Sequence, residues 1–255
     1  MSRQSSRPTR RELLLEQARR HVAGGLLHHL MALPPDLETV MARGSGSRVW
    51  DVDGREYIDY LMGSGPLVIG HAHPEVVLAV QRCVADGVQF YQLTEPLLAL
   101  AETIVQAVPC AQRVKFVNTG TEATFLALRL ARAFTGKPKV MKMEGGFHGT
   151  NDYAVWGTRH RHPFEPPYAE CDSLGVPGVL REQVLVAPFN DIEVTADLVR
   201  RHKDELAAVI VEPLQRNIPP RVEFLQGLRQ VTRECGVLLV FDEVVTGFRL
   251  AWGGA

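Results

Sequence analysis

Two rhythms of hydrophobic and polar positions follow one another along this chain, and the change between them organises it. The first is broken and turn-rich. From Glu12 to Val22, Leu13, Leu14, Gln17 and Ala18 form a modest apolar face that predicts a short helix, ended by Gly24-Gly25. Arg48-Val49-Trp50-Asp51-Val52 and Glu56-Tyr57-Ile58-Asp59-Tyr60 flank Asp53-Gly54-Arg55, a hairpin signal because Asp-Gly supplies the positive φ of a tight turn. Gly63-Ser64-Gly65-Pro66 and Gly70-His71-Ala72-His73-Pro74 are turn segments, and Pro74 suits the first position of a helix continuing through Val84. A second helix is predicted over Pro96 to Val108.

From Arg113 the rhythm becomes a strand–helix alternation. Short apolar runs predict strands at Val114–Val117, Lys139–Met143, Val184–Ala187, Ala207–Val211 and Val237–Phe241. Between them, helices are predicted near Val194–Lys203 and Glu223–Cys235, and another places Ala123, Leu126, Ala127, Leu130, Ala131 and Phe134 on one face. The run at Val237–Phe241 reads as a strand buried on both faces. Thr158 to Pro177, rich in Pro, His and acidic residues, reads as a long surface loop. Strands alternating with helices indicate an α/β fold with a mostly parallel sheet and flanking helices.

Composition narrows the function only by exclusion. A net charge of −1 over 255 residues gives no reason to expect nucleic acid or an acidic membrane as partner. No apolar run approaches the ~20 residues that span a bilayer, and the Ser- and Arg-rich start, Met1 to Arg11, lacks the apolar core of a secretory signal. Cys83, Cys110, Cys171 and Cys235 contain no CxxC pair, which argues against a zinc site or a disulfide framework and suits reduced thiols in the cytoplasm.

Candidate chemistry gathers just after the strands, where ligands bind in open α/β sheets. Thr119-Gly120-Thr121-Glu122 opens a helix whose unpaired N–H groups suit a phosphate, and equally forms a capping box with Thr119 as N-cap. In Glu144-Gly145-Gly146-Phe147-His148-Gly149 an aromatic among glycines can offer its ring to a flat ligand, while His148 can donate a hydrogen bond, move a proton or be merely structural. Val209-Ile210-Val211 ends in Glu212, with Asn217 beyond it, and the last strand runs into Asp242, either a cap or a ligand-facing acid. His160-Arg161-His162 has no third ligand at useful spacing and reads as solvated loop; no metal site is expected. Walker and GxGxxG patterns are absent, so a nucleotide is not indicated.

Taken in order, "DVDGREYIDY", "GPLVIGHAHP", "VNTGTEATFLALRLARAFTG", "EGGFHG", "VIVEP" with Asn217, "EFLQGLR" and "LVFDEVVTGFR" resemble the class III, fold-type I pyridoxal-phosphate aminotransferases, and most nearly their glutamate-1-semialdehyde 2,1-aminomutase-like subgroup. The likeness runs from about Val22 to Ala255. It implies pyridoxal 5'-phosphate as cofactor, with Thr119, Gly120 and Thr121 on its phosphate and Phe147 and Val244 on the two faces of its ring. Asp242 would pair with the pyridinium nitrogen, and His148, Glu212 and Asn217 would lie in support. It implies a small-molecule amino donor, a carbonyl acceptor and a homodimer. It divides the chain into a basic tail and helix start (1–20), an N-terminal segment with the hairpin (21–73) and part of a cofactor-binding large domain (74–255). The family's chemistry also needs a Schiff-base lysine. None of Lys115, Lys137, Lys139, Lys142 and Lys203 matches that position, so the lysine is expected beyond Ala255 and the chain is expected to be an N-terminal part. Ser64 stands where the aminomutase-like pattern has tryptophan, and Leu214-Gln215-Arg216-Asn217-Ile218 departs from it too; both leave room for a transaminase with another substrate.

Overall fold

The computed structural model describes residues 8–25, 38–160 and 164–255. The chain divides into two compact units, Met1–Leu93 and Thr94–Ala255. In the first, helix α1 (Arg10–His21) begins at Thr9, whose hydroxyl accepts from Glu12 N while the Glu12 carboxylate accepts from Thr9 N. Strands β1 (Met41–Ser45), β2 (Arg48–Asp51) and β3 (Glu56–Ile58) form an antiparallel sheet in that order. The expected hairpin is β2–β3. Gly54 in its turn has φ of 85°, and the Asp51 carboxylate ties the turn by accepting from Asp53 N and Arg55 N. The pattern does not announce β1, because Met41-Ala42-Arg43-Gly44-Ser45 has no apolar alternation and becomes a strand only by pairing with β2. Helix α2 (Pro74–Ala85) starts on Pro74 as expected. The beginning of the basic tail, 1–7, lies outside the described residues.

The second unit contains α3 (Glu95–Ala107), α4 (Gly120–Thr135), β4 (Lys139–Met143), β5 (Val184–Ala187), α5 (Ile192–His202), β6 (Leu206–Val211), α6 (Val222–Glu234) and β7 (Leu238–Phe241). The four strands make one parallel sheet in the order β5-β4-β6-β7. Side-chain parity assigns the layers. Met141, Met143, Leu185 and Val209 pack with Val199 of α5 and Phe224 and Leu228 of α6. Val140, Val184, Val186 and Ile210 pack on the opposite face with Leu128 of α4 and with Trp156. Two covered faces explain why these strands read as unbroken apolar runs.

The topology also positions the site. The chain leaves β4 for β5 on one side, then returns to β6 on the other. The crevice beyond the carboxyl ends of β4 and β6 is therefore the switch point at which open α/β sheets bind ligands.

Four expectations need correction. Val114–Val117 carries no strand pairing: a strand exists only where a neighbour takes up its backbone groups, and none does among the described residues. Helix α4 buries Ala131 of the expected stripe together with Thr124 and Leu128 from outside it, while Leu130 and Phe134 are 63% and 82% exposed. The helix is apolar on two sides, and the sheet covers the side bearing Leu128. Strand β7 is only half-buried, with Phe241 40% exposed, and among the described residues it is paired on one side alone. The segment from Thr158 to Pro177 is more than surface loop, since Phe164, Tyr168, Ala169 and Cys171 are half-buried against the sheet's two cores. Arg161 and His162, read as solvated loop, lie outside the described residues.

Much apolar surface stays open. Helix α2 buries none of its residues and exposes Val76, Leu78, Val80 and Val84, while α4 exposes Leu130 and Phe134. Patches of this kind drive association. The 255-residue chain is expected to elute as oligomer or aggregate in size-exclusion chromatography with light scattering; a monodisperse, cooperatively unfolding monomer would contradict this.

Candidate active site

The loop after β4 is held by the ends of the two strands beyond it. Phe147 N donates to Glu212 Oε2 at 2.9 Å, across the switch point from β4 to β6. One residue on, His148 Nδ1 lies 2.7 Å from Asp242 Oδ2, with both side chains buried. The other oxygen of Asp242 accepts from Val244 N at 3.1 Å, so the acid does cap the turn after β7, while also facing the histidine. The His148 carbonyl accepts from the Thr124 hydroxyl of α4 at 2.7 Å. Three elements thereby converge on two consecutive residues of one loop.

The N-terminus of α4 closes a second side. Thr119 is its N-cap, and the capping box forms in full: Thr119 Oγ1 accepts from Glu122 N, and Glu122 Oε2 accepts from Thr119 N and Asn118 N. The first-turn N–H groups of Gly120 and Thr121 have no acceptor among the described residues, and they are the donors an anion would meet. Two contacts tie this terminus to the other elements. A Cβ on Gly120 would lie 3.2 Å from both methyls of Val244, and a Cβ on Gly149, at φ +87°, would come within 2.5 Å of Thr121 Oγ1. Thr121 Oγ1 also accepts from Thr150 N at 3.2 Å.

Burial sets the electrostatics. It pushes the Glu212 carboxyl up to about 7, against the Phe147 N–H and with the help of Asp242's charge. It pulls Lys142 down to about 7, opposed by Glu212 and Asp172. The same desolvation holds His148 below the usual imidazole range despite its hydrogen bond to Asp242, with Lys142 adding to the lowering. Groups pushed toward neutrality in a strand-end crevice are what proton-transfer chemistry uses.

Comparison with known proteins decides the family. The model of the aminotransferase class-III family matches residues 33–254. The chain belongs to the class-III aminotransferases. It shares the pyridoxal-phosphate-dependent fold-type I architecture of that family. Glutamate-1-semialdehyde 2,1-aminomutase of Persephonella marina is 41% identical over 250 residues, covering 95% of this chain and 57% of the relative. An omega-transaminase from Sphaerobacter thermophilus superposes with a TM-score of 0.90 at 39% identity, covering 96% of this chain and 57% of that one. A transaminase with PLP bound gives 0.88 at 33% identity, covering 95% of this chain and 57% of that one. This class-III chain thus spans a little over half the length of these relatives.

Of the residues singled out in the sequence, Phe147, His148, Glu212 and Asp242 form one hydrogen-bonded cluster, and Gly120, Thr121 and Val244 adjoin it. Asn217 is exposed and makes no side-chain hydrogen bond among the described residues. Sequence reasoning misses three residues that support the loop. Lys142, fully buried, donates to Trp156 O at 2.8 Å and Met143 O at 3.1 Å. Gln215 Nε2 donates to Glu144 O at 2.8 Å, and Arg216 Nε to Gly145 O at 2.9 Å. One signal was available for the first: a lysine in a strand whose neighbours are all apolar has to be satisfied internally.

Two outcomes follow for this class-III chain. Gly149→Ala is expected to lower stability by about 1–3 kcal/mol through overpacking against Thr121, read by chemical denaturation; an unchanged midpoint would refute the contact. For Glu212, the folded value near 7 against 4.5 when unfolded means that the native state binds more protons between those two pH values. Its contribution is therefore lost as pH rises through that window. Glu212→Gln keeps an acceptor for Phe147 N but cannot ionise, so its stability relative to wild type should climb from pH 4.5 to 7 and then level off. A difference independent of pH would rule this out.

Proposed function

We propose that the full protein uses pyridoxal 5'-phosphate for amino-group chemistry at the crevice between β4 and β6, and that its reaction is that of a glutamate-1-semialdehyde 2,1-aminomutase. The observation that carries the cofactor reading is the buried His148–Asp242 pair beside a helix N-terminus with two free N–H groups. The residues fit the group: an acid for the ring nitrogen, a half-buried aromatic at Phe147, and unpaired donors at Gly120 and Thr121 for a phosphate. Thr119, Gly120 and Thr121 would hold the phosphate, Phe147 and Val244 the faces of the ring, and Glu212 and Asn217 its polar edge. Asp242 would keep a proton on the ring nitrogen, with His148 orienting the acid. When bound, the cofactor supplies an electron sink for a substrate amine that loses a proton.

We infer that the lysine this chemistry requires is none of the five in the chain. Lys142, the buried one, has its Nζ occupied by carbonyls. We assign the role to sequence beyond Ala255, and expect the full protein to be a cytoplasmic homodimer. Borohydride reduction of the cofactor-loaded full protein, followed by peptide mass spectrometry, should trap an adduct on such a lysine; an adduct on Lys142 or on any other of the five would overturn the assignment.

The aminomutase reading draws support from the sequence identity with the Persephonella marina enzyme. A second reading, a transaminase between a separate amino donor and carbonyl acceptor, draws support from the superposition on the omega-transaminase and from Ser64. Turnover of glutamate 1-semialdehyde with no added amino acceptor supports the first. Turnover only when a separate donor and acceptor are both present supports the second.

A further inference from the structure

The turn after β6 carries an arginine where its backbone favours glycine. Ile218 N donates to Gln215 O at 2.8 Å, which makes Arg216 and Asn217 the two central residues of a tight turn. Arg216 has φ of 56° there, in the left-handed region that glycine most often fills at this place in a turn. Holding a long side chain in that conformation costs free energy, and such positions gather at ligand sites. The residue is exposed, yet its side chain is fixed: Nε donates to Gly145 O at 2.9 Å and Nη2 to Thr158 O at 3.1 Å. Both partners are neutral carbonyls. No carboxylate among the described residues forms an ion pair with Arg216, and its Nη1 makes no hydrogen bond among them. The acid whose charge does reach it is Glu212, which burial pushes up to about 7, so near neutral pH that acid offsets only part of the arginine's charge. The Arg216 Cζ lies 5.9 Å from the centroid of the Phe147 ring.

We propose that Arg216 is a specificity residue of the crevice, and that it receives the carboxylate of an amino or oxo compound on the hydrogens that the loop leaves free, two on Nη1 and one on Nη2. A planar guanidinium can meet both oxygens of a carboxylate with parallel donors. One already pinned by two of its N–H groups has lost most of its rotamer freedom before a ligand arrives, so binding meets a smaller entropy cost. An uncharged compound would leave the cation to water, and preference should therefore follow the carboxylate. A guanidinium that only tied Gly145 to Thr158 would steady the turn and show no preference among ligands. The position of the carboxylate relative to the reacting group rests on the function proposed above, in which Phe147 lies against the cofactor; the anion site itself does not.

The test is calorimetric titration of the full protein, with cofactor and again without it, using levulinate, a short oxo acid, and levulinamide, its uncharged amide. Wild type should bind levulinate about tenfold or more tightly than the amide, and Arg216→Gly should bring the two within about twofold, the loss of a charge-assisted hydrogen bond. Glycine takes the turn's φ without strain, so this variant removes the cation while easing the backbone. Arg216→Lys keeps the charge without the fork and should recover part of the preference. Arg216→Gln serves where Arg216→Gly does not fold, with the same loss expected. Equal binding of the two probes to wild type, no binding of levulinate, or a preference that survives in Arg216→Gly or Arg216→Gln would overturn the proposal. Uptake of pyridoxal phosphate, followed separately by absorbance, keeps the two ideas apart. No uptake together with a carboxylate preference that depends on Arg216 rejects the cofactor alone, and uptake with no preference in wild type rejects the anion site alone.

Discussion

At the ends of two neighbouring strands, Glu212 and Asp242 take hold of consecutive residues of a single loop, one through the Phe147 N–H and one through the His148 ring. The rest of the second unit is arranged so that this grip is possible. The reversal of strand order around β4 puts the loop beside β6, and β6 puts β7 and its acid next in line. Burying acids is costly unless donors meet them. A loop displaced by an ångström would leave both carboxyls short of donors, so their desolvation resists movement of the loop. The loop's glycines serve the same end: Gly145 and Gly149 lie where a side chain would collide with a neighbour, and Gly146 where one would be tight.

Much of this is legible in the residues. The strands at Lys139–Met143 and Val184–Ala187 coincide with their predicted bounds, because both faces of the sheet are covered and the apolar runs carry the signal. The cluster of Phe147, His148, Glu212 and Asp242 is legible for a related reason: Glu212 and Asp242 directly follow strands, Phe147 and His148 lie in the loop after one, and a parallel sheet brings strand ends to one edge. What fails is whatever depends on a neighbour. Val114–Val117 has the composition of a strand without its pairing, and β1 has the pairing without the composition. The buried stripe of α4 is chosen by the sheet from two apolar candidates, and the sequence contains both. Gln215 and Arg216 could not be found from spacing, since their work is to donate to the carbonyls of Glu144 and Gly145, more than sixty residues earlier in the chain.

Lys142 shows how the same constraint reaches the far side of the loop. It projects from β4 on the face opposite Met141 and Met143, toward the segment carrying Trp156 and Gly157. Its ammonium group is met by carbonyls, and Gly157 O also accepts from Gly145 N at 2.7 Å. The lysine thus supports from behind the backbone that Gln215 and Arg216 hold from the front. Its depressed value near 7 and the raised value of Glu212 near 7 share a cause, and each charge would ease the cost of the other.

That balance bears on how an acid at position 242 would act on a cation in the crevice. If His148 carried a full charge, the pair would be internally neutral and Asp242 would have little to offer a positively charged ring. Burial works against that charge, and so does Lys142. The acid is then met by hydrogen-bond donors, the imidazole N–H and the Val244 N–H, rather than by a counter-charge. Donors orient a carboxylate and lower the cost of burying it, but they leave its negative potential directed at whatever lies in the crevice. A neutral histidine is therefore more than a support. On the proposed function, it would be the condition under which Asp242 could favour a proton on a ring nitrogen, and removing the desolvation that opposes its charge would weaken that preference without moving a single atom of the acid.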